Sequence, residues 1–160
     1  MADRQGHQEA MMNARTVFLV AMGVIGLHIA DDSFFQPQPG TSAGDHLISG
    51  PVPLGAMALA VVAYLKGNEG IRGAVALIAG FCGLVAAAEA VYYTAEVGPS
   101  GDDFTGLLCV PAGVALIALG VHTLWSSRRR SGRVAVRVAR RSLATVGGVF
   151  VLLLVLAPLG

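Results

Sequence analysis

An all-α, polytopic membrane protein with five transmembrane helices is what this sequence predicts, and three observations carry the prediction. Hydrophobic residues fill 54% of the 160 positions and charged residues only 13%, a balance far too apolar for an ordinary water-soluble domain. The apolar residues gather into five runs, each near the ~20 residues that span the ~30 Å hydrocarbon core as a helix. The basic residues, finally, are confined to alternate connections between the runs, and the connections without them are acidic. A nucleic-acid binder, a disulfide-stapled secreted domain and a globular enzyme all fit this pattern poorly.

In order, the runs cover 14–30, 47–65, 74–95, 106–125 and 142–159, and residues 1–13 form an N-terminal tail on the cytoplasmic side. The first stops at the Asp31-Asp32 pair, the second at Lys66, and the third lies between Arg72 and Glu96. The fourth runs from Thr105 to the arginines beginning at Arg128, and the fifth follows Arg141. Charge, glycine and proline bound every run, as breakers do. Inside a bilayer the backbone has no water to bond, so the spans must be helices; the ~10-residue alternating strands of a barrel are absent. The first run has the length of a signal peptide, but His28-Ile29-Ala30 is a poor small-x-small cleavage site, so it is read as a retained span.

Lysine and arginine in short loops stay on the cytoplasmic side. One side carries Arg4 and Arg15, then Lys66 and Arg72, then Arg128, Arg129, Arg130, Arg133, Arg137, Arg140 and Arg141, which are all eleven basic residues. The loops on the other side hold Asp31, Asp32, Asp45, Glu96, Asp102 and Asp103 and no basic residue. The N-terminus is therefore expected inside, the C-terminus outside, and the chain in the plasma membrane.

Two hairpins echo one another. Ala30-Asp31, Ser42-Ala43-Gly44-Asp45 and Val52-Pro53-Leu54-Gly55 are followed later by Ala95-Glu96, Ser100-Gly101-Asp102 and Val110-Pro111-Ala112-Gly113. Such copies, two spans each, would be a parallel repeat about an axis along the membrane normal. The two cysteines, Cys82 and Cys109, lie at different depths, about 10 Å or more apart at 1.5 Å per residue, beyond disulfide reach and suited to small apolar filling.

Candidate chemistry concentrates on the acidic side. Glu89 falls within the third run, where a carboxylate costs up to ~2.5 to 3.5 kcal/mol near the midplane. It is expected to face the bundle interior with His28, at similar depth, as its partner. His28 and Asp32 share a helix face by their i, i+4 spacing. Two readings follow from the cluster of Glu89, His28, Asp31, Asp32, Asp45, His46, Glu96, Asp102 and Asp103. One is an outward pocket for a proton or cation, since histidine with carboxylates suits such ligands. The other is a hydrogen-bonded pair fixing helix register, with the loop acids solvated. No H-x-x-x-H or E-x-x-H spacing supports a metal centre, and no cofactor is implied. His122, beside Trp125, reads as an interfacial residue with no further role.

Gly40-Thr41-Ser42-Ala43-Gly44 matches the nucleophile-elbow pattern, with Asp45-His46 next. An elbow needs a strand before it and a helix after it, whereas Gln36-Pro37-Gln38-Pro39 interrupts ladder pairing. Adjacent Asp and His cannot reach around a serine as separated triad members do. No catalytic site is assigned. The stretch from Ser126 to Arg141 holds seven arginines in sixteen residues, with Arg129, Arg133, Arg137 and Arg141 at i+4 steps. It is read as an orientation signal contacting anionic lipid of the inner leaflet, at ~1 kcal/mol per charge, and not as a nucleic-acid site.

The segment Ala30-Asp31-Asp32-Ser33-Phe34-Phe35-Gln36-Pro37-Gln38-Pro39-Gly40-Thr41-Ser42-Ala43-Gly44-Asp45-His46, together with Ala88-Glu89-Ala90-Val91-Tyr92-Tyr93 and Gly98-Pro99-Ser100-Gly101-Asp102-Asp103, resembles the N-terminal membrane region of actinobacterial membrane-anchored α/β-hydrolases of the dienelactone-hydrolase type. The resemblance covers about residues 15–160. It implies a membrane module that anchors or regulates an extracytoplasmic hydrolase domain, the nucleophile, acid and histidine lying in that domain beyond the last span. No catalytic residue of the family has a counterpart here. The alternative, from a different class, is a small transporter-like or sensor protein that binds a cation or proton in its outward pocket.

Overall fold

The computed structural model describes residues 2–35, 42, 44, 47, 50–98 and 101–130. Among these the chain is helical with no strand, in four helices: α1 (Ala2–Ala30), α2 (Pro51–Lys66), α3 (Glu69–Val97) and α4 (Gly101–Arg130). Three are long and apolar enough to cross a membrane, over Met11–Phe35, Glu69–Glu96 and Phe104–Arg128, which marks the chain as a membrane protein. The expected fifth span, 142–159, lies outside the described residues.

Two ends differ from the sequence expectation. Helix α1 begins at Ala2 and so runs through the tail; at its far end it does not stop at Ala30 but widens into a π-helical turn over Asp31–Phe35. Helix α2 starts at Pro51 instead of residue 47 and has 16 residues, a rise of about 24 Å that is shorter than a ~30 Å hydrocarbon core. The reason is local. Pro51 and Pro53 occupy its first turn, where a missing N–H removes no intrahelical bond.

The α2–α3 turn is closed by three devices. Gly67 sits so close to Ala63 O and Ile71 that a Cβ has no room, and its N–H donates to Ala63 O at 2.8 Å. The Asn68 side chain accepts from the Ile71 N–H at 3.0 Å as an N-cap. Arg72 reaches back from α3, donating from Nε to Tyr64 O at 3.0 Å and from Nη2 to Leu65 O at 3.4 Å, so a cation covers the last carbonyls of α2. At the other end of α3, Gly98 takes φ 97°, and its N–H donates to Thr94 O at 3.1 Å, the left-handed stop that glycine adopts without strain.

The closest packing joins α3 to α4 along small residues spaced alternately by three and four. On α3 these are Gly73, Ala76, Gly80, Gly83, Ala87 and Ala90; on α4 they are Gly106, Cys109, Gly113 and Gly120, with the buried Leu116 filling the one larger position of the same face. The glycines face each other's backbone. A Cβ on Gly80 would stand 2.7 Å from Gly113 O, and one on Gly113 2.8 Å from Gly80 O; one on Gly120 would stand 2.8 Å from Gly73 O. Lipid tails are as apolar as the helices, so close backbone packing drives such pairing. Helix α1 lies against α4 and inserts Ile25 at Gly83, where a Cβ would be 2.7 Å from Ile25 Cδ1. Helix α2 completes the ring by touching α1 and α3. There Phe18, fully buried, stacks on Tyr64 with ring centroids 3.6 Å apart and planes 3° from parallel, and the Tyr64 hydroxyl donates to Ala14 O at 3.4 Å.

The packing departs from the sequence echo of the two hairpins. Pro53 stands in the first turn of its helix and Pro111 well inside α4. Gly113 is locked in the seam, while its counterpart Gly55 has nothing within 4 Å. One hairpin is tightly sealed and the other only lightly joined. The contacts also sort the charges along the bundle: Arg15, Lys66, Arg72 and Arg128 lie toward one end, and Asp31, Asp32 and Glu96 toward the other.

Candidate functional site

At the acidic end, three helical segments meet around a buried polar chain. The Thr105 hydroxyl, in the second turn of α4, donates to Asp31 Oδ2 at 2.9 Å, and His28 Nδ1 lies 3.2 Å from Thr105 Oγ1. With the hydroxyl proton directed at Asp31, the geometry makes His28 the donor through Nδ1–H. His28 and Asp31 are each only 8% exposed, so both are polar groups withdrawn from solvent that need such partners. Thr105 stands between them. A nucleophile relay would put the imidazole in the middle; here the hydroxyl is central, and the arrangement joins elements instead of activating an oxygen.

Local structure explains the convergence. The π-helical turn carries an extra residue per turn, which buries Asp31 and Ser33; such turns recur at functional positions. Gly106 gives the imidazole its seat, since a Cβ there would stand 3.2 Å from His28 Cε1 and would also collide with the Ala90 methyl. One turn further along, the buried Cys109 thiol donates to Thr105 O at 3.7 Å. Neither Cys82 nor Cys109 is bridged.

The other expected site residues are distributed unevenly. Asp32, in the π-helical turn, is half-buried. Glu89 is exposed on α3, so the expectation that it faces the bundle interior is corrected: the inward positions of that stretch, Ala87 and Ala90, are the small residues the α4 seam requires. His28 accordingly engages Thr105 in place of the expected Glu89 partner, and Glu89 stays an electrostatic neighbour of Asp32 and His28 at the rim. Glu96 is exposed near the end of α3. Asp102 and Asp103 open α4, but their side chains lie outside the described residues, as do Asp45 and His46 altogether. Among the described residues no three of His, Cys, Asp and Glu come together as a metal site. Ser42 is exposed and outside any strand, and among the described residues the next helix starts at Pro51.

On the basic side, Arg128 is exposed in the last turn of α4, and the helix continues through Arg129 and Arg130, whose side chains are not among those described. Arg133, Arg137, Arg140 and Arg141 lie outside the described residues. Sequence reasoning missed Thr105, Ser33 and Gly106. The available signal was the seven-residue recurrence Gly106, Gly113, Gly120, which marks the buried face of α4 and places its hydroxyl neighbour Thr105 beside that face.

Comparison with protein-family models, with curated proteins and with solved structures finds no match for this chain.

Proposed function

We propose that this chain is a plasma-membrane module that anchors, and through its acidic end regulates, an extracytoplasmic α/β-hydrolase domain, either covalently continuous with it or a separate partner. The observation that carries the reading is a convergence. Of the two segments resembling the hydrolase membrane regions, 30–46 and 88–103, the described Asp31 of the first meets Thr105, two residues beyond the second, at one end of the bundle. The charge sorting supports the orientation: the end with Arg15, Lys66, Arg72 and Arg128 faces the cytoplasm and anionic lipid. The fifth apolar run then returns the chain to the outer side. Immunoblotting of native membranes with an antibody to residues 36–40 tests the reading. A band well above 16.4 kDa, shortened when intact cells are treated with protease, is expected for a continuous domain. A 16.4 kDa band that crosslinks to a hydrolase is expected for a separate one, and a 16.4 kDa band with no hydrolase attached overturns the proposal.

A second reading is an outward site for a proton or cation. The proximity of Glu89 to Asp32 and His28 at the rim favours it. Cation or proton flux into proteoliposomes that is lost in a folded Glu89→Gln variant would establish it.

A further inference from the structure

At the basic end, two arginines from different helices converge on one buried ring. Arg72, near the start of α3, is clamped to the end of α2 by its Nε bond to Tyr64 O at 3.0 Å and its Nη2 bond to Leu65 O at 3.4 Å. A guanidinium carries five N–H donors in a rigid fork, so these bonds fix its plane and leave donors over. Tyr64 is held in turn to α1, where its hydroxyl donates to Ala14 O at 3.4 Å, the residue before Arg15, and its ring stacks on Phe18 one turn further along. The charges of Arg72 and Arg15 both act on that hydroxyl. The two guanidinium groups, one from α3 and one from α1, thus flank a single rigid ring, and both side chains are half-buried. Lys66 adds a third positive charge beside Leu65, and Glu69 is the one carboxylate among the described side chains at this end.

We propose that Arg15 and Arg72, spaced by Tyr64, form a seat for the phosphate group of an anionic lipid in the adjoining leaflet. Guanidinium forks match phosphate oxygens in geometry, and the charge-assisted bonds they make are roughly twice as strong as neutral ones. The height fits a headgroup. Arg15 and Arg72 each lie about one turn inside an end of the spans Met11–Phe35 and Glu69–Glu96, the level at which basic pockets between helices take up lipid phosphates. Arg72 is the preorganised member, its plane already set by α2. Arg15, which makes no hydrogen bond or ion pair among the described residues, is the member that orders on binding. A phosphate held by both ties α1 to α3, two helices that touch only lightly, across the end of α2. The seat rests on the membrane-spanning character of the bundle and on neither the hydrolase nor the cation reading.

Native mass spectrometry of the full chain in dodecyl maltoside, a detergent without phosphate, titrated with phosphatidylglycerol, tests it. One lipid per chain should be held more tightly than any other. Arg15→Gln should weaken that binding about tenfold, as losing one charge-assisted hydrogen bond does. Arg128→Gln removes the same charge from an exposed position on α4 and should leave the binding unchanged. Arg15→Lys keeps the charge without the fork and should recover only part of the affinity. Without lipid, Arg15→Gln should melt as the wild type does, which separates loss of the seat from loss of the fold. Equal weakening by Arg15→Gln and Arg128→Gln overturns the proposal, since the attraction would then be general to the charged end. So does the absence of any lipid held more tightly than the rest. Inorganic phosphate, added to lipid-free micelles, distinguishes the source: protection against thermal unfolding equal to that given by phosphatidylglycerol would assign the seat to a soluble phosphate compound and overturn the lipid assignment.

Discussion

The α3–α4 seam and the α1–α4 junction at the acidic end hold helices together by opposite means. The seam removes side chains until backbones touch, with Gly73, Gly80, Gly113 and Gly120 opposing one another's carbonyls. The junction keeps polar side chains and satisfies them, with Thr105 between His28 and Asp31. A seam of glycines depends on shape alone and is indifferent to pH. A polar junction tolerates small changes of shape but depends on every member keeping a hydrogen-bond partner. The same helix, α4, uses both, with Gly106 at the point where one passes into the other: its missing Cβ admits the Ala90 methyl from α3 and the His28 ring from α1.

The sharpest way to break this contrast is a branched residue in the seam. Gly80→Val would drive a side chain into Gly113 O and Ile117, each within 2.8 Å of the first carbon added. It should cost about 3 kcal/mol, the upper range for overpacking, read as a fall in midpoint in detergent unfolding that is equal at neutral and acid pH. Thr105→Val removes the two hydrogen bonds of the junction at nearly constant volume. At about 0.6 kcal/mol per bond inside a membrane the loss should be near 1 kcal/mol, read in the same unfolding assay, and Thr105→Ser should restore the stability. The smallest effect has the opposite sign. Gly23 lies outside the seam on an exposed face of α1 with nothing within 4 Å, so Gly23→Ala should raise stability by about 0.5 kcal/mol through helix propensity. A loss there would mean that this face of α1 is packed against something.

What the sequence disclosed follows from which forces act locally. Apolar runs and their breakers are local, and one run falls inside each of α1, α3 and α4, whose helices extend beyond it. The turn at Gly67-Asn68 announced itself through Lys66 and the residues around it. Where a helix begins or ends beyond the apolar stretch is decided by other atoms: the proline-bearing first turn shortened α2, and burial of Asp31 against Thr105 carried α1 on through a π-helical turn. Glu89 was misplaced for a related reason. Hydropathy fixes depth along the membrane normal but not rotation about the helix axis, and rotation was set by the small-residue positions flanking it. Those positions were legible as a heptad of glycine and alanine, yet a composition rich in these residues also produces chance matches, as the unequal prolines Pro53 and Pro111 illustrate.

The glycine seam has a mechanical consequence. Where α3 and α4 bring their backbones together, at Gly80–Gly113 and Gly73–Gly120, there is little room for side chains whose rotamers could adjust, so the two helices resist sliding past one another by small increments. They act as a single stiff beam through the bilayer. A displacement imposed on α4 at Thr105 should therefore carry α3 with it towards the end that holds Arg72 and Arg128, with the lightly held α2 the part most able to lag behind.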